Sequence, residues 1–91
     1  MNRIIPPADF DEYDWRLQES KGYLDDVGVE LSDGRVVQVT FYDPVRLAQD
    51  IEAEFGEGST TVSFKRLIVV ERVTPETLQS AVEAASPNFF D

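Results

Sequence analysis

"DGRVVQVTFYDPVRLAQDIEAEFGEG", Asp33 to Gly58, changes its apolar rhythm once, and that change decides the fold. Before Asp43, Val37, Val39 and Phe41 alternate with polar residues, the period of a half-buried strand. After it, Leu47, Ala48, Ile51 and Phe55 recur at helical spacing. At about 100° per residue they form one stripe, with Arg46, Gln49, Asp50 and Ala53 opposite and Glu52 and Glu54 flanking. Between the two rhythms, Asp43 is placed to cap free amides and Pro44 suits the first helical position. Gly56 or Gly58 ends the helix. The stretch predicts a strand that runs into an amphipathic helix lying on a sheet. Arg46 and Asp50, four residues apart, are expected to pair on its exposed side.

Working upstream, Val27, Val29 and Leu31 form another alternation, joined to the first across "SDG". A two-residue Asp33-Gly34 turn would set Val29 opposite Gln38 and mix the faces. A three-residue loop, Ser32-Asp33-Gly34, pairs Leu31 with Arg35, Val29 with Val37 and Val27 with Val39. Apolar residues then share a face, and Gly34 takes the left-handed position of a type I turn plus bulge. The three-residue loop is the expectation.

Further upstream, Tyr13, Trp15 and Leu17 alternate with Asp14, Arg16 and Gln18, which predicts a first strand broken by "SKG" at Ser20 to Gly22. Trp15 is thereby placed in the core. Residues 1–12 form an acidic N-terminal arm, and residues 13–91 a single α+β domain.

Downstream, "TVSFKRLIVVERV" predicts strand, with Leu67 to Val70 apolar at every residue as in a strand flanked on both sides. Lys65-Arg66 marks a turn or a kink, leaving one bent strand or two. Thr74, Pro75 and Glu76 repeat the helix-start pattern, and Leu78, Ala81, Val82 and Ala85 make the buried stripe. Pro87 stops that helix before "NFF". The expected architecture is a two-layer α+β domain: a mixed sheet of four to five strands with two helices on one side, in the order β-β-β-α-β(-β)-α. The fourth strand is expected to be central and parallel to the strand before the helix.

"DGRVVQVTFYDPVRLAQDIE" followed by "LIVVERVTPETLQSAV" resembles short stand-alone bacterial proteins that share an F-Y-D-P-x-R-L core. The resemblance implies the same strand and helix assignments. It carries over no activity and no catalytic residue.

Charge narrows function. Eighteen acids against eight bases give a formal net charge of −10. Binding to nucleic acid or to an anionic membrane needs clustered Lys and Arg, which this chain scatters, so neither is expected. The opening "MNRIIPPADF" lacks the apolar region of a signal peptide, and no apolar run reaches spanning length. A cytoplasmic protein is the expectation.

The equipment for bond chemistry is thin. There is no histidine and no cysteine, and Lys21 and Lys65 are the only lysines. Neither lysine sits in a Ser-x-x-Lys setting. "EFGEGST" places Glu57 between its glycines, where it would repel a phosphate. "DFDEYD" has carboxylate density for incidental binding of a hard cation but lacks ordered ligand spacing. No enzyme, no cofactor and no metal centre is expected.

Two readings remain. The first is a small acidic inhibitor of a basic protein, of the immunity-protein or antitoxin kind, steered to its partner by charge. Its contact residues would be Asp9, Phe10, Asp11, Glu12 and Asp14 in "DFDEYDW", with Tyr42 and the tail residues Phe89 and Phe90. The second is an accessory domain that pairs with itself as a homodimer through a sheet edge or the "NFF" tail.

Overall fold

A computed structural model describes residues 1–91. The elements are β1 (Arg3–Ile5), α1 (Glu12–Lys21), β2 (Tyr23–Glu30), β3 (Val36–Tyr42), α2 (Pro44–Gly56), β4 (Leu67–Val69) and α3 (Pro75–Ala84). A 3-10 turn, Pro87–Phe90, closes the chain. The fold is α+β, built on a four-stranded mixed sheet in the order β1-β2-β3-β4. The first two pairings are antiparallel, and β3–β4 is parallel.

The β2–β3 hairpin has the expected register, with Val27 opposite Val39 and Val29 opposite Val37. Leu31 donates its N–H to Arg35 at 2.8 Å, and Gly34 takes φ +93°. A single glycine with positive φ thus puts the valines on one face. The register slips once, between Leu24 and Val27, where Asp26 adopts φ 55°. That bulge turns Asp25 and Asp26 out to solvent.

Four expectations are corrected. Tyr13–Leu17 is not a strand; it lies in α1. Asp11 caps that helix, accepting from the Asp14 N–H at 3.0 Å while Asp14 accepts from the Asp11 N–H at 3.1 Å. Gly22, at φ 80°, ends it. Local end chemistry therefore outweighs an alternation that a helix also satisfies, since Tyr13 and Leu17 lie one turn apart. The chain consequently has three α-helices where two were expected.

Strand β1 comes instead from within the first twelve residues. Ile4 pairs with Val29, and Gln79 on α3 covers the outer side of the strand. Its amide accepts from the Ile4 N–H at 3.0 Å and donates to the Asn2 carbonyl at 2.8 Å, imitating a neighbouring peptide. The third correction concerns β4, which is an edge strand of three residues and not a central one. Thr61–Phe64 is not strand, and Lys65-Arg66 is a bend with Arg66 at φ 49°.

The fourth correction concerns α2. Adjacent residues of a strand point to opposite faces, so Phe41 and Tyr42 part company. Phe41 lies in the main core with Leu24, Val27, Val29, Val39, Val70, Val73, Leu78, Val82 and Phe90. Tyr42 points the other way and stacks on Tyr23, its register partner, at 5.7 Å. Helix α2 sits on these tyrosines, on the face away from α3, with Arg46 and Asp50 as its polar contacts. The Tyr42 hydroxyl donates to Asp50 at 2.7 Å, and the Arg46 guanidinium lies 4.4 Å above the Tyr23 ring. Arg46 also binds Asp50 at 2.9 Å. A buried phenol needs a partner, and Asp50 supplies it, so Arg46 and Asp50, expected to be wet, face inward while Gln49 and Ala53 stay exposed. The expected inner stripe is split, with Leu47 and Ile51 turned in beside Arg46 and Asp50 and with Ala48 and Phe55 turned out. No α2 residue is buried, Leu47 and Ile51 are half-buried, and Phe55 is 49% exposed.

Burial and the Asp50 hydrogen bond push the Tyr42 pKa up from 10.0 to about 12. Between those values the unfolded chain has lost the phenolic proton and the folded one retains it. Stability is therefore expected to fall as pH rises from about 10 to 12. Denaturant titrations should show this slope in the parent and a flatter one in Tyr42→Phe, which also loses the hydrogen bond, worth about 1–2 kcal/mol.

Candidate protein-binding site

The N-terminal acids are organised by α1. Its first turn carries Glu12 and Asp14, which suit the positive end of the helix dipole. The Asp14 backbone N–H holds the Asp11 carboxyl below the usual aspartate range. None of the residues of α1 is buried. Attachment comes from aromatic packing: Phe10 meets Trp15 edge to face at 5.0 Å, and both press against the core.

Between α1 and the first turn of α3 lies a cleft of about 430 Å³. Phe10 and Trp15 supply its aromatic wall, Thr74 and Pro75 its far side, and Asp11, Glu12, Glu19 and Glu76 its carboxylates. Arg16 is the one base, and it is tied to Glu12 at 3.0 Å. Four carboxylates around two rings suit a guanidinium or ammonium group, which gains both cation–π attraction and charge-assisted hydrogen bonds.

The other charged surfaces are more self-satisfied. A cleft of about 600 Å³ beside the hairpin loop contains Asn2, Ser32, Asp33 and Arg35. There Arg35 binds Asp33 at 2.9 Å and Asp91 at 3.4 Å, and Asn2 accepts from the Ser32 N–H. Arg3 is likewise paired with Glu30 at 2.7 Å. With Arg16 and Arg46 also paired, Lys21, Lys65, Arg66 and Arg72 are the bases without a carboxylate partner.

Of the residues singled out in the sequence, Phe10, Asp11 and Glu12 meet in the α1–α3 cleft. Asp14 is spent on the capping box, and Asp9 is exposed at φ 62° just before it. Tyr42 lies on the opposite face of the sheet, 8% exposed, with its hydroxyl given to Asp50. Phe90 is 2% exposed in the core, and Phe89 packs against the same cluster. Glu19 and Glu76 were missed. Glu19 falls one helical turn after Trp15, which matters only once the segment is helix, and Glu76 is brought in by tertiary packing. Reading Asp11 and Asp14 as a capping box would have found Glu19.

No helix is long and apolar enough to cross a membrane. The chain matches no protein-family model, no curated protein and no solved structure.

Proposed function

We propose that this chain is a non-enzymatic acidic binding protein that holds a basic protein partner, in the manner of an immunity protein or antitoxin. The observation that carries this reading is the α1–α3 cleft, with aromatic walls and Asp11, Glu12, Glu19 and Glu76 around it. An arginine or lysine of the partner enters it, and the net charge of −10 speeds the encounter. Self-association through the "NFF" tail has less support, because Phe90 is already used inside the fold.

Trp15 is the only tryptophan and sits in the cleft, so its emission reports occupancy. Titration with an oligoarginine peptide at low salt is expected to give a saturable change in Trp15 emission. Glu19→Lys/Glu76→Lys should weaken it by about tenfold or more, as should raising the salt well above physiological strength. An emission unmoved by the peptide, or an affinity indifferent to both changes, would refute the reading.

A further inference from the structure

We infer that the outer edge of β4 recognises a second copy of this chain, whose own β4 adds antiparallel about a two-fold axis at Ile68. This rests on a different observation from the α1–α3 cleft. Thr40 donates its N–H to the Arg66 carbonyl at 3.0 Å, and Val70 donates to the Tyr42 carbonyl at 2.8 Å. In a parallel ladder that pattern turns the backbone groups of Arg66, Ile68 and Val70 toward β3. Leu67 and Val69 turn theirs away from the sheet, and no group of the chain bonds to them. Val69 is also 49% exposed. An edge in this state is a template for another strand.

The sequence around the edge selects the strand. Lys65 and Glu71 stand at equal distances on either side of Ile68 in "KRLIVVE". Both are exposed, and neither has an ion-pair partner within the chain. Antiparallel pairing centred on Ile68 sets Leu67 opposite Val69 of the second copy, and Val69 opposite its Leu67. Each such pair exchanges both of its backbone bonds, so all the outward groups are used. The same register carries the Lys65 end of each strand to the Glu71 end of the other, where opposite charges attract. A register centred on Leu67 or Val69 loses these charge pairs, and a parallel strand in step sets lysine beside lysine. A chain at −10 repels its own copies, but this is where it does so least: residues 65–72 hold Lys65, Arg66 and Arg72 against Glu71 alone. With β4 only three residues long, the pair is small and of the transient kind.

Sedimentation velocity from micromolar protein to about 1 mM, the weak end of specific binding, should show a reversible monomer–dimer equilibrium. Over the same range, the Leu67 and Val69 amides should exchange hydrogen more slowly. Lys65→Glu alone sets acid against acid, and Glu71→Lys alone sets base against base, so each should dimerise about tenfold more weakly than the parent. A mixture of the two variants restores both charge pairs and should form a heterodimer within about threefold of the parent's affinity. Lys21→Glu makes the same change in net charge on α1 and should dimerise within about twofold of the parent. Far-ultraviolet circular dichroism of each variant checks that the fold is kept. The inference fails if the parent is still monomeric at the highest concentration, or if the mixture pairs no better than its components. It fails equally if a dimer forms while Leu67 and Val69 exchange unchanged, because the contact then lies elsewhere. A failure here with Trp15 still responding to oligoarginine leaves the cleft reading standing.

Discussion

Gly22→Ala is expected to destabilise the chain by about 3 kcal/mol, seen as a lower denaturation midpoint with an unchanged slope. Gly22 ends α1 at φ 80°, a conformation that costs any residue with a Cβ about 1–2 kcal/mol. Space is lacking as well. A Cβ there would lie 2.6 Å from the Asp43 carboxylate and 2.8 Å from the Arg46 Cβ. The carboxylate cannot swing away freely, because Asp43 accepts the Arg46 N–H at 2.8 Å as the cap of α2. The Gly22 carbonyl meanwhile accepts the Asp43 N–H at 2.8 Å. One residue therefore ends α1, anchors the start of α2 and passes between them. For a domain this small the loss corresponds to a fall in melting temperature of about 12–24 °C. Gly34→Ala is the comparison: it shares the positive φ but has open space around it, so it should cost about 1 kcal/mol. Equal losses at the two positions would show that the close approach of α1 and α2 contributes nothing.

Phe41→Ala should cost about 3–5 kcal/mol, enough to leave much of the chain unfolded at room temperature. Phe41 is fully buried and touches strands on both sides, pairing with Leu24 on β2 and Ile68 on β4. Removing its ring leaves a cavity that the sheet cannot collapse to fill. Phe55→Ala deletes the same ring from a helix with no buried residue and should stay within about 0.5–1 kcal/mol. The contrast, measured by urea denaturation, locates the core. Comparable losses would mean that Phe55 is covered in solution.

What the sequence makes legible is the chemistry of element ends. Asp43 with Pro44 and Thr74 with Pro75 start their helices where expected, because a cap acts on amides three residues away. Gly34 places the hairpin for the same local reason. The misreading of α1 was avoidable: Asp11 and Asp14 are as local as those signals, but the Tyr13–Trp15–Leu17 alternation masks them. The orientation of α2 was not legible. It depends on the Tyr42 hydroxyl meeting Asp50, and Tyr42 faces that side only because Phe41 takes the other. Strand β1 depends on a side chain at the far end of the chain, Gln79, which no window over Arg3–Ile5 contains. The cleft follows the same division, since Phe10, Asp11 and Glu12 stand together in the sequence while Glu76 arrives only with α3.

The amide of Gln79 has a consequence for crowding at high concentration. A sheet with two open margins can join its neighbours end to end and grow without limit, the route to fibres. Here the outward Ile4 N–H and Asn2 carbonyl of β1 are already taken by a side chain posing as a strand, so a stranger finds that margin partly occupied. Growth through the β1 margin is thereby opposed.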